Sequence, residues 1–204
     1  MKNYTSIKKT VVVILTLLPL MFFVSAGGSD SAGDNFSWSM GLQNVRSGEM
    51  VPFSAPVAAS TGEQFRLVIS SEAECFAYVI YESPDGNDVL VLHSGAMQKG
   101  EIWRSGVFQL TEPKGSESLF VLVSRNEQRT LAQRISAMGN NPTASQRRAV
   151  MNEVFRIRSD VSKTREAPEK PVLMGGAARG QEDRNQGVEF SGSAAYVKTI
   201  SIEH

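Results

Sequence analysis

Glu63-Gln64-Phe65-Arg66-Leu67-Val68-Ile69-Ser70 and Cys75-Phe76-Ala77-Tyr78-Val79-Ile80-Tyr81 decide the fold. In the first, Phe65, Leu67 and Ile69 alternate with Arg66, Val68 and Ser70, a period of two that puts one row of side chains on a core face. The second is apolar on both faces and rich in aromatic and β-branched residues, as a central strand covered on both sides requires. Ser71-Glu72-Ala73-Glu74 between them reads as a polar turn. Ser83-Pro84-Asp85-Gly86-Asn87 is a second turn, with proline presetting φ and glycine accepting positive φ. Val89-Leu90-Val91-Leu92 then returns as a third strand, and the three together read as an antiparallel meander.

Further strands are expected at Glu101–Arg104 and Val107–Leu110, around Ser105-Gly106, and at Leu119–Ser124, again apolar on both faces. Glu112-Pro113-Lys114-Gly115 marks the turn before the last of these. Short strands at regular spacing with Gly/Pro turns predict a β-sandwich or a partly open barrel.

The ordered set Gly62–Ser70, Ala77–Tyr81, Pro84-Asp85-Gly86, Leu92, Gly100-Glu101 and Glu112–Glu117 before Leu119–Ser124 resembles the bacterial domain of unknown function 4384. The resemblance runs from about Val51 to Arg134 and rests on strands and turns rather than on a site motif. Where that family runs from its third strand into Phe-Pro, this chain has His93-Ser94. The family has no established activity, and its members often sit beside peptidase or kinase domains or in exported proteins. The resemblance therefore implies an accessory or interaction role and supplies no catalytic residue.

The N-terminal residues read as a targeting signal. Lys2, Lys8 and Lys9 form a basic start, Val11–Phe23 an apolar run, and Val24-Ser25-Ala26 a small-residue cleavage site. The run is shorter than the ~20 residues a spanning helix needs. A signal peptide over 1–26, cleaved after Ala26, predicts a periplasmic or secreted protein without stable membrane insertion. Residues 27–34 form a flexible spacer, and 35–204 a single domain. With 21 basic and 21 acidic residues in the whole chain, loss of the three lysines leaves 18 against 21, a net charge of −3. That balance offers no electrostatic case for nucleic acid. One cysteine, Cys75, excludes an intrachain disulfide.

Phe36, Trp38 and Met40 alternate with Ser37 and Ser39, predicting an edge strand. Core packing is the commoner reason for such a stripe; an exposed aromatic patch for a partner is the sharper one. Met50-Val51-Pro52-Phe53 reads as another edge strand. After Ser124 the period changes. Leu131, Ile135 and Met138 predict a helix over about 127–138, stopped by Gly139-Asn140-Asn141-Pro142. Val150, Val154, Ile157 and Val161 predict a second over about 145–162, capped by Ser145. Arg147, Arg148, Arg156 and Arg158 flank it as a solvated face diluted by Glu153 and Asp160. About 163–187 reads as a flexible linker, and its Met174–Gly180 glycines lack the ending of a phosphate loop. Tyr196, Ile200 and Ile202 share one face of a terminal strand over about 195–203, expected to return to the sheet rather than be donated to another subunit.

The expected fold is mainly β with α: an antiparallel β-sandwich-like domain with a two-helix appendage and a returning C-terminal strand. No cofactor or metal site is expected, since no His/Cys/Asp/Glu cluster has zinc spacing and Asp85-Gly86-Asn87-Asp88 lacks the glutamate of a calcium loop. The expected function is an exported, non-catalytic accessory module. It would bind another protein or an envelope structure through Phe36, Trp38 and Met40 or through an open sheet edge. The alternatives are a periplasmic small-ligand carrier with a pocket between sheet and helices, and a hydrolase. A hydrolase would use Cys75 with His93, or His93 with Ser94 and Asp88.

Overall fold

The computed structural model describes residues 36–161, 170–173, 186–192 and 195–204. The expected signal peptide, the spacer, the Met174–Gly180 loop and most of the expected linker lie outside them. Twelve strands and two helices are described: β1 (Phe36–Asn44), β2 (Met50–Val51), β3 (Val57–Ala58), β4 (Gln64–Ser71), β5 (Cys75–Glu82), β6 (Val89–Met97), β7 (Ile102–Arg104), β8 (Phe108–Gln109), β9 (Ser116–Ser124), α1 (Arg129–Met138), α2 (Ala144–Val161), β10 (Lys170–Leu173), β11 (Gln186–Gly192) and β12 (Ala195–Glu203).

They form two sheets with the helices on the outer face of the second. The first sheet runs β10-β11-β1-β4-β7, with β2 beside β1 and β8 beside β4; the second runs β3-β12-β9-β5-β6. All pairings are antiparallel except β12 with β3. A β-sandwich with a small helical part is thus the architecture.

The two-faced strands explain the three layers. From β5, Cys75, Ala77 and Val79 enter the core between the sheets, while Tyr78 and Ile80 enter the core under the helices. Strand β9 divides the same way: Leu119, Val121 and Val123 face the first core, Phe120 and Leu122 the second. Opposite them α2 buries Val150, Met151, Val154 and Ile157, and α1 buries Leu131 and Met138. Gly139, at φ 57°, ends α1. Thr143, not Ser145, caps α2: its Oγ1 accepts from the Gln146 N–H at 3.3 Å while the Gln146 amide oxygen accepts from the Thr143 N–H at 2.8 Å. The buried Glu153 carboxylate ties Arg156 at 2.7 Å and Arg134 of α1 at 3.8 Å.

Three further expectations are corrected. The meander is broken after β4, because both edges of β4 are taken by β1 and by β7 and β8; the chain crosses at Ser71–Glu74 to the other sheet, and only β5 and β6 form a hairpin. Strand β1 is interior rather than an edge, lying between β4 and β11. The expected linker over 163–187 contains β10 and the start of β11, which pair from Lys170↔Glu189 to Leu173↔Gln186. The terminal strand does return: β12 pairs with β9 along its whole length, from Ala195↔Ser124 to Glu203↔Ser116.

At one end of the sandwich two turns meet. A Cβ on Gly115 would stand 2.6 Å from Pro84 Cβ, so the 112–115 turn can lie against the β5–β6 turn only with glycine there. This contact brings β9's start, β5's end and β6's start together, which is where the site described next is found.

Candidate functional site

A sheet edge exposes unpaired N–H and C=O groups, and proteins guard long edges with charge, proline or cover. Among the described residues, β3 has two residues, β7 three and β10 four. Strand β3 covers only Ile202 and Glu203 of β12, whose remaining outer side carries Lys198 and no exposed residue. Strand β6 is a nine-residue edge with exposed side chains: Val89-Leu90-Val91-Leu92-His93-Ser94-Gly95-Ala96-Met97. It contains no charged residue and no proline, and among the described residues no strand pairs with its outer side. Leu90, Ser94 and Ala96 are exposed. One guard is present, a bulge: Val79 pairs with His93 but Ile80 with Val91, leaving Leu92 as the extra residue.

The bulge aims Leu92 inward beside Leu90, and a cleft opens there between the two sheets. It has a volume of about 370 Å³ and is lined by Tyr81, Asp88, Leu90, Leu92, Phe108, Gln109, Thr111 and Glu117. Its apolar wall comes from both sheets, Leu90 and Leu92 from β6 and Phe108 from β8. Its polar floor is a chain of side chains. Buried Glu117 places Oε1 3.2 Å from His204 Nε2, and His204 Nδ1 lies 3.4 Å from Thr61 Oγ1. Tyr81 lines the cleft beside Glu117; burial first, then the charge of Glu117, pushes the Tyr81 pKa up to about 12. His204 is held in place by two backbone bonds with Gly115, each 3.1 Å. Asp88 stands at the rim, exposed, and no lysine or arginine lines the cleft.

The sequence-predicted partner residues are elsewhere. Phe36, Trp38 and Met40 are at most 2% exposed, so they are no surface stripe and cannot contact a partner. Trp38 stacks on Phe190 of β11 at 4.4 Å and meets Tyr196 of β12 edge-on at 5.6 Å. Core packing, the commoner reason for such a stripe, is the one that applies.

The hydrolase candidates are not brought together. The buried Cys75 thiol donates to Ser71 Oγ at 3.2 Å, and burial raises its pKa. Cys75 pairs with Met97 and His93 with Val79, four ladder positions away, on the order of 13 Å. Ser94 follows His93 in the strand and points to the opposite face. Asp88 is five residues from His93, on the order of 16 Å along an extended chain. His93 instead packs on Trp103 of β7 at 4.8 Å, with Nε2 buried and unbonded; desolvation lowers its pKa.

The space between the second sheet and the helices, where a carrier would hold its ligand, is filled by the second core. A shallow cleft of about 230 Å³ remains at its margin, between the β5–β6 turn and Arg147, Arg148 and Phe155 of α2. Of the helix arginines, Arg147 donates to the Pro142 carbonyl at 2.7 Å and Arg156 is held by Glu153 and Asp160. Among the described residues no group of three metal-ligating side chains occurs, and no helix is long and apolar enough to cross a membrane. No family model matches the chain, and neither a curated protein nor a solved structure matches it.

The residues that sequence reading missed are Tyr81, Glu117 and His204. Each comes from a different strand or its end, and nothing in their spacing signals that they meet.

Proposed function

We propose that this chain is an exported, non-catalytic accessory module that captures an extended segment of another protein by adding it as a strand to the outer side of β6. The observation that carries this reading is β6 itself: nine edge residues with no charge and no proline, three of them exposed, no strand on the outer side among the described residues, and a single bulge as guard. Strand addition uses main-chain hydrogen bonds for affinity and pockets beside the edge for specificity. Both are present, since the cleft opens directly inside Leu90 and Leu92. The targeting signal read in residues 1–26 and the accessory character implied by the resemblance over Val51–Arg134 point the same way. So does the separation of Cys75, His93, Ser94 and Asp88, which leaves the two hydrolase constellations without a geometry.

The test is photo-crosslinking in cells from single positions at Leu90, Ser94 and Ala96, with Arg104 of β7 as control. One partner segment captured from Ser94 and Ala96 and not from Arg104, and lost in an S94K/A96K variant that remains folded, supports the proposal. Capture from Arg104 alone, or equal capture by the S94K/A96K variant, overturns it.

A further inference from the structure

The cleft beside β6 has a chemistry that selects what enters it. A strand added to β6 places every second side chain on the inner side of the sheet, where one of them meets the opening at Leu90 and Leu92. At about 370 Å³ the opening is near the small end of ligand pockets, room for one or two side chains. Its walls, Leu90, Leu92 and Phe108, favour an aliphatic stem. Its charged groups are both acidic: Glu117 on the floor and Asp88 at the rim. His204 Nε2 lies 3.2 Å from Glu117 Oε1, which holds that carboxylate in place inside the cleft. The Asp88 carboxylate has no ion-pair or hydrogen-bond partner among the described residues.

We infer that the cleft takes a cationic side chain, so that the segment captured by β6 is an extended peptide carrying a lysine or arginine between apolar residues. The stem lies along Leu90, Leu92 and Phe108 while the charged head reaches Asp88 and Glu117, the arrangement long basic side chains adopt on apolar surfaces. An acidic side chain at that place meets two carboxylates and is rejected, which gives the site discrimination as well as affinity. This inference rests on the strand-addition reading of β6.

The test uses the full chain and three synthetic probe peptides as long as β6, alternating valine and threonine, with lysine, norleucine or glutamate at the central position. Fluorescence anisotropy gives the affinities at low and high salt, and hydrogen exchange reports β6. The lysine probe binds about fivefold more tightly than the norleucine probe, the scale of one exposed to half-buried charge pair, and loses that margin in high salt. Asp88→Asn cuts the margin of the lysine probe over the norleucine probe. Equal binding of all three probes with β6 protected overturns the charge selection and leaves strand addition standing. Failure of every probe to bind or to protect β6 overturns both.

Discussion

Replacing Trp38 by alanine distinguishes a core residue from a partner contact. Trp38 is 1% exposed and packs in a three-ring cluster, 4.4 Å from Phe190 and 5.6 Å from Tyr196, which are themselves 4.8 Å apart. Truncating a buried tryptophan to alanine costs about 3–5 kcal/mol through lost transfer energy and the cavity left behind. Each aromatic pair adds about 0.5–1.5 kcal/mol beyond its buried area. These rings come from β1, β11 and β12, so the loss also loosens the attachment of β11 to the first sheet. The expected destabilisation is therefore at the upper part of that range, about 4–5 kcal/mol, a large share of the ~5–15 kcal/mol that holds a domain folded. Urea unfolding followed by far-ultraviolet circular dichroism measures it, and a double-mutant cycle with Phe190→Leu isolates the ring coupling. A Trp38→Ala loss below about 1 kcal/mol, together with loss of partner capture, would refute the core assignment and restore the surface stripe.

Other expectations follow from buried groups. Cys75 is 2% exposed with its thiol pKa raised by burial, so its reaction with a thiol reagent is slow in the native protein and fast in denaturant; rapid native labelling would contradict its place in the core. Burial lowers the His93 pKa, so folding disfavours its protonation. Stability from this group is full above the unfolded value of 6.5 and is lost as pH falls below it, and His93→Gln flattens that part of the profile; an unchanged profile would contradict the packing on Trp103. Tyr81 has the opposite bearing. Its pKa is raised from 10.0 to about 12, so the folded state holds the phenol proton; stability falls as pH rises across that interval, and Tyr81→Phe removes the fall. Spectrophotometric titration that places every tyrosine near 10 would break the Tyr81–Glu117 contact.

Local signals carried most of the architecture. Alternation located β4, two-sided apolarity located β5 and β9, and the change of period after Ser124 located the helices, because each reflects burial imposed on a single element. Pairing was harder to read. Ser71–Glu74 has the length and polarity of a hairpin turn, yet it arches between sheets, since β4's neighbours are β1, β7 and β8. Nothing local distinguishes a hairpin from an arch. Strand β6 reads as four residues because the apolar run stops at Leu92; the strand continues past the bulge there and stays paired through Met97. Thr143 was hidden behind Ser145, although Thr143 and Gln146 have the capping-box spacing. The cleft was least legible of all. Tyr81, Glu117 and His204 are separated by tens of residues and meet only because β5, β9 and β12 are neighbours in one sheet. The aromatic stripe of β1 left two readings open, since a core strand and a sticky surface strand share one alternating pattern; the neighbours β4 and β11 decide for the core.

The most direct test of the account is amide hydrogen exchange of the full chain with and without the partner segment recovered by crosslinking, supplied as a synthetic peptide. Strand addition predicts that exchange slows along Val89–Met97 and that β3, β7 and β10 keep their rates. Protection confined to another edge or to the helices, with β6 unchanged, would contradict it.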